Sequence, residues 1–275
     1  MVALTLGLAL LGYLSGSAVA LALLVKNRLD EAGRALFPTL LGFAFHTISI
    51  GSACVIYGGW ITAASASESF SFIAWSLVLF TMLMVWRYKV PALLSFLLPL
   101  ASLTALLAFV QSGDLRLLAP LQAVPKATWL WLHVSLSLLA VAALFLAAVA
   151  GLVYLLQEQQ VKSRHPGYLF RRLPSLEVCD RLGYKSLSVG FVLLTGSLMT
   201  AAVGIWSSLE LRWSWDLTTS LAVAGWPLYM AVIYWRWAVG LRGRKAAYLA
   251  IVGGLSVTGI LLGVLLLSGR FHPGT

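Results

Sequence analysis

Apolar residues fall in long runs along this chain, and charged residues are confined to the stretches between them. A run of about 20 apolar residues is what a helix needs to cross the hydrocarbon core of a bilayer. The pattern predicts eight such helices, at about 2–25, 36–58, 70–86, 90–110, 129–156, 186–206, 217–239 and 246–268. None carries a charge near its centre, where Lys, Arg or Asp would cost roughly 2.5 to 3.5 kcal/mol on the insertion scale. The first run opens at Val2 with no basic residue before Lys26, so it is read as a retained span, although Ala18-Val19-Ala20 resembles a cleavage site. The longest stretch between spans, 157–185, is too short for a domain, and no internal repeat is evident. The expected fold is therefore all-α: an integral membrane protein, a polytopic bundle of about eight transmembrane helices, with residues 1–275 forming a single integral-membrane domain.

Composition agrees with the pattern. Of 275 residues, 60% are hydrophobic and 10% charged, which excludes both an ordinary soluble domain and a disordered chain. The formal net charge of +10 raises nucleic acid as a partner until the charges are placed. Lys26, Arg28 and Arg34, then Arg87 and Lys89, then Lys162, Arg164, Arg171, Arg172, Arg181 and Lys185, then Arg236, Arg242, Arg244 and Lys245 all fall between spans on one side. The other side holds only Arg116, Lys126, Arg212 and Arg270. By the positive-inside rule the richer side is cytoplasmic, which with eight spans puts both termini outside. The acids Asp30, Glu31, Glu158, Glu177 and Asp180 are inner, and Glu68, Asp114, Glu210 and Asp216 are outer. The inner face then carries the whole net charge and the outer face is neutral, so the basic balance is a topology signal and not a sign of nucleic-acid binding.

Candidate chemistry gathers on the neutral side. Cys54 and Cys179 offer no disulfide framework, no CxxC pair and no CxxCH site. Of eleven tryptophans, Trp60, Trp75, Trp129, Trp131, Trp206, Trp213, Trp215 and Trp226 lie outside or in outer helix halves, against Trp86, Trp235 and Trp237 inside. An interfacial aromatic belt is one reading, but belts decorate both faces. The other is a rim of flat indoles that holds a large planar apolar ligand. His133 and His272 approach the same outer face from different spans, as bis-axial ligation of a haem iron requires. Two unrelated interfacial histidines are the simpler alternative. His46 lies near mid-membrane, where an ionisable residue is either functional or packed against a backbone carbonyl. His165 reads as a solvated loop residue, Glu68 and Asp216 as acids at helix N-termini, and Gly259/Gly263 as a helix-packing GxxxG.

Taken in order, these residues resemble the integral-membrane haem-handling proteins of cytochrome c assembly, the CcsA/ResC group related to CcmC, CcmF and HemX. The likeness extends over nearly the whole chain. It is carried by His46, by Glu68-Ser69 with Trp75, by Trp131-Leu132-His133-Val134-Ser135, and by Leu173-Pro174-Ser175-Leu176-Glu177 with Asp180, Arg181 and Leu182. Gly204-Ile205-Trp206, then Trp213-Ser214-Trp215-Asp216, Trp226 and Tyr229 resemble the family's tryptophan-rich segment, and Arg242-Gly243-Arg244 with His272 its closing stretch.

The resemblance implies that haem b is held at the outer rim, with His133 and His272 as axial ligands and Trp206, Trp213, Trp215, Asp216 and Trp226 orienting the porphyrin. It implies presentation of the haem vinyl groups to the CxxCH thiols of an apocytochrome c, so that thioethers form. A ResB/CcsB-like membrane partner is implied too, as is a bacterial cytoplasmic membrane with its lipid around the spans and the haem site facing the periplasm or cell exterior. His46 would be one of an intramembrane histidine pair that receives haem on its way out. Whether the chain is an enzyme component, part of a cytochrome c synthase (haem lyase) complex, is left open. The chain departs from the family at several positions: Trp215-Asp216-Leu217-Thr218-Thr219 stands where Trp-Asp-Pro-Lys-Glu is usual, Leu221 where another tryptophan is common, the segment between Trp206 and Trp213 is about two residues short without the usual Trp-Gly, and Tyr234 falls at the second intramembrane histidine. A HemX-like, non-catalytic regulator of a haem-biosynthesis enzyme is the alternative those departures favour.

Overall fold

A computed structural model describes residues 1–56, 66–112, 128–163, 173–207 and 217–271. Among them are eight α-helices and no strand: α1 Val2–Lys26, α2 Gly33–Ile56, α3 Ala66–Tyr88, α4 Ala92–Gln111, α5 Thr128–Lys162, α6 Leu176–Ser207, α7 Leu217–Ala238 and α8 Arg244–Phe271, with one 3-10 turn at Leu29–Glu31. The helices α1 to α6 are long and apolar enough to cross a membrane. The remaining two, of 22 and 28 residues, have the length a span needs. The chain is an all-α, multi-pass membrane protein.

The helices follow the apolar runs at most ends, and local chemistry explains where they stop. Beyond α1, Asn27 adopts a left-handed conformation (φ 57°) and Arg28 N–H closes on Leu23 O at 2.9 Å, an ending that Asn tolerates because its short side chain allows positive φ. Gly240 (φ 70°) and Gly243 (φ 75°) turn the chain sharply from α7 into α8. Two helices outrun their apolar spans. Six residues past the expected end, α5 is carried on by helix-forming Glu, Gln and Lys, with Lys162 Nζ bonded to Glu158 one turn back at 2.7 Å. Ten residues before its apolar run, α6 begins, after Ser175 caps it by accepting the Val178 N–H at 3.4 Å. Asp180, Arg181 and Lys185, read from sequence as loop charges, therefore stand on α6. Hydropathy marks where the membrane ends, whereas a helix ends only at a cap or a breaker.

The described chain forms two compact units, one of Met1–Lys126 with Leu156–Val178, the other of Ala127–Leu155 with Cys179–Thr275. In the first, α1 lies against α2 and α4, and α3 against α4. Small residues bring α1 and α2 together: a Cβ on Gly12 would stand 2.5 Å from Gly42 Cα, and one on Gly16 2.2 Å from Thr39 Oγ1. Hydroxyls tie the helices across, Ser95 donating to Ala20 O at 2.9 Å and Ser67 to Ala108 O at 2.8 Å. In the second unit, Leu144, Ala147, Leu187, Tyr229, Val232 and Ala250 form the core. Here α5 and α6 meet along residues seven apart on α6: Gly190 against Leu144, Ser197 against His133, and Gly204 against Trp129. That spacing keeps one face of α6 turned to its neighbour.

Candidate functional site

His133 sits in the second turn of α5 and reaches across to α6. Its Nδ1 lies 2.8 Å from Ser197 O and 3.0 Å from Ser197 Oγ. Ser137, one turn along α5, places its Oγ 2.5 Å from Ser197 Oγ and 2.8 Å from His133 O. Hydrogen bookkeeping closes this ring in one way. A backbone carbonyl can only accept, so Ser137 donates to His133 O, Ser197 then donates to Ser137, and the proton pointing at Ser197 O must belong to Nδ1 of His133. Nε2 is left with the lone pair, and no hydrogen bond reaches it among the described residues. An imidazole whose N–H is fixed on a backbone carbonyl while the other nitrogen stays free is oriented and made more basic for a metal at that free nitrogen.

Trp129 lies one turn before this histidine on the same face of α5. Its indole packs on Gly204, where a Cβ would fall 2.0 Å from the ring. Only glycine leaves room for it. Two expected platform residues, one on α7 and one on α6, are associated with other faces of α6. Trp226, on α7, donates its indole N–H to Thr195 Oγ1 at 2.9 Å and stacks on Phe191 at 5.6 Å. At 100° per residue, Thr195 and Phe191 are turned about 160° and 120° from Ser197. Trp206, 93% exposed, is turned about 180° from Ser197 on the same count. Neither is gathered around His133. Trp213, Trp215, Asp216 and His272, like His165, lie outside the described residues. Sequence reasoning counted Trp129 among the outer indoles but had no reason to prefer it. The signal was the i, i+4 spacing of Trp129 and His133 on one helix face.

The other expected ligand, His46, is held differently. It is wholly buried in the first unit. Tyr13 Oη lies 3.0 Å from its Nδ1 and Ser71 Oγ 2.8 Å from its Nε2. Both ring nitrogens are occupied, so in this arrangement neither offers a lone pair to a metal. Beside it, Trp75 donates to Thr47 Oγ1 at 2.9 Å and stacks between Phe43 and Phe72, at 5.3 and 5.7 Å. The donor chemistry thus fits an axial iron ligand at His133, and fits one at His46 only after Ser71 moves away. No cluster of three or more metal-ligating side chains occurs among the described residues.

At the opposite end of the second unit, Arg236 grips Asp180 in a two-pronged ion pair, Nη1–Oδ1 2.8 Å and Nη2–Oδ2 2.5 Å. Its guanidinium lies 4.7 Å from the Tyr184 ring centroid, and Gly243 N–H donates to Asp180 at 3.3 Å. Asp180, Tyr184 and Arg236 border a cavity of about 20 Å³, room for about one water. The positive-inside reading treated both charges as topology markers, and no spacing in the sequence pairs residues 56 apart. The clasp fastens the α7–α8 turn to α6.

The family described as cytochrome C assembly protein matches residues 63–272. A cytochrome c biogenesis protein CcsA of Prochlorococcus marinus (strain AS9601) is 32% identical over 225 residues, covering 74% of this chain and 73% of its own. The CcsA protein of Prochlorococcus marinus subsp. pastoris is 30% identical over 237 residues, covering 79% and 76%, and that of Synechococcus sp. (strain CC9902) 28% over 227 residues, covering 74% and 75%. The matched span takes in His133, Ser137, Ser197 and the helices that hold them. The chain belongs to the cytochrome c assembly protein family, and within it is CcsA-like.

Proposed function

We propose that this protein handles haem b as its substrate in c-type cytochrome biogenesis, holding it at the outer end of α5 and presenting it there to an apocytochrome c. The observation that carries the reading is His133, whose Nδ1 proton is fixed on Ser197 O and whose Nε2 is left with a lone pair. A ferric or ferrous haem iron is the metal such a lone imidazole serves when a second ligand comes from elsewhere, and His272 is that ligand in this reading. In this reading Trp129, one turn before His133 on the same face of α5, flanks the porphyrin; Trp213, Trp215 and Asp216 orient the macrocycle, with Trp206 and Trp226 at its edges. Bound haem supplies the vinyl groups that cysteine thiols add to, and the protein supplies orientation and exclusion of water.

The same reading places the protein in a bacterial cytoplasmic membrane, with both termini and the haem site on the periplasmic or exterior side, on the strength of the basic residues crowding the opposite loops. A ResB/CcsB-like partner would position the apocytochrome, a task for which the short segments between these helices leave little chain length. Purified wild-type protein is expected to show a Soret band of six-coordinate haem, and His133→Ala with His272→Ala is expected to lose most of it. Unchanged haem content in the double variant would overturn the ligand assignment. Deletion of the gene is expected to abolish covalent haem staining of c-type cytochromes; normal staining would favour the HemX-like regulator, to which the Leu217-Thr218-Thr219 departure points.

A further inference from the structure

At three places in the described chain, a side chain from a neighbouring helix and a hydroxyl from the carbonyl's own helix meet on one backbone oxygen. Val2 O accepts from Thr5 at 3.0 Å and from Ser49 of α2 at 3.1 Å. Gly253 O accepts from Ser256 at 2.7 Å and from Tyr229 of α7. Ser197 O accepts from Thr200 at 2.8 Å and from His133 of α5 at 2.8 Å. In each case the local hydroxyl stands three residues further along the helix, where a serine or threonine can bend back to a carbonyl. The third place differs from the other two. Its outside donor is an imidazole, so whatever changes that carbonyl is felt at the ring's other nitrogen.

A carbonyl oxygen has two lone pairs. Ser197 O, inside α6, also faces the N–H of Ala201 in the helix ladder. Three donors therefore share two lone pairs, and each bond is weaker than it would be alone. The bond that matters for a metal is the one from Nδ1. The harder the oxygen pulls on that proton, the more electron density reaches Nε2 and the more the ring favours ferric over ferrous iron. Thr200 takes part of that pull. We propose that Thr200 is a positioning residue for the haem ligand: by sharing Ser197 O it tempers the electron donation of His133 and keeps the iron site easier to reduce. The proposal rests on the haem-handling reading above, and in it Thr200 acts only through the carbonyl.

The test compares full-length wild type, Thr200→Val, Thr200→Ser and Ser256→Ala in lipid nanodiscs, with bound haem titrated potentiometrically and followed in the Soret band. Thr200→Val keeps the shape and removes the hydroxyl; it is expected to favour the ferric form about five-fold, the worth of one hydrogen bond. At about 59 mV per tenfold, that is a potential ~40 mV lower. Thr200→Ser keeps the hydroxyl and should keep the wild-type potential, as should Ser256→Ala, which removes the matching hydroxyl at Gly253 O. In the haem-free protein carrying isotope-labelled histidine, the His133 Nδ1 proton resonance is expected to move downfield in Thr200→Val and to stay in place in Thr200→Ser. A potential unchanged or raised in Thr200→Val, an equal shift in Thr200→Ser or Ser256→Ala, or an Nδ1 proton resonance that does not move would each overturn the proposal. The haem reading is judged separately, by the haem lost in His133→Ala with His272→Ala; were that reading to fail, the proton resonance would still decide whether Thr200 tempers His133.

Discussion

His133 and His46 are both histidines inside apolar helices, yet their surroundings leave them with opposite chemistry. Around His133, two serines and a carbonyl form a closed ring that spends one ring nitrogen and spares the other. Around His46, a tyrosine and a serine spend both. The difference lies in what the facing helix supplies. Ser197 offers a backbone oxygen, which can only accept and so dictates the tautomer, whereas Ser71 and Tyr13 are hydroxyls that donate or accept and therefore dictate nothing. A histidine in a membrane helix becomes a ligand when its neighbours fix one proton and stop there.

Five variants probe this contrast, in order of decreasing effect. Gly12→Ala in the first unit is expected to cost about 3 kcal/mol, because the added carbon meets a backbone that cannot yield. Gly204→Ala in the second should cost about 2 kcal/mol, since a tryptophan ring can shift where a backbone cannot. Thermal unfolding of detergent-solubilised protein ranks the pair, and the reverse order would refute the packing account. Next comes His46→Ala, expected to lower stability by about 2 kcal/mol by stranding two buried hydroxyls, while altering outer haem little. For His133→Ala the balance inverts: stability drops by about 1 kcal/mol but most of the haem is lost. Equal haem loss from both would erase the distinction drawn here. Smallest is Ser137→Ala, which opens the hydrogen-bonded ring but leaves the Ser197 carbonyl in place; haem affinity should fall roughly threefold, in keeping with a supporting bond to a ligand. A larger loss than for His133→Ala would mean that the serine, not the imidazole, holds the haem.

Much of the fold was legible because membrane crossing is a property of local composition. Each apolar run carries its own reason to be a helix, since a backbone in hydrocarbon must satisfy its hydrogen bonds within the segment. The boundaries went astray at α5 and α6, where helix continues into charged sequence that hydropathy reads as loop. At the site, residue type and depth picked out His133 and His46 alike, and the aromatic count suggested a platform. Sequence could not say that Trp129 lies against Gly204 beside His133, nor that Trp226 turns to Phe191 and Thr195 instead. Those are questions of which face of α6 each neighbour meets.

The sequence by itself therefore determined an all-α, multi-pass chain, its charge asymmetry and the residue types on which haem chemistry would draw. Each of these follows from local composition, from the cost of charge in hydrocarbon and from what a side chain can ligate. The tertiary structure alone decided which histidine keeps a free nitrogen, which indole packs on Gly204 and which charges clasp one another. Hydrogen bonds and packing join residues 64, 25 and 56 positions apart, and helix periodicity fixes a residue's face but not the neighbour that face will meet.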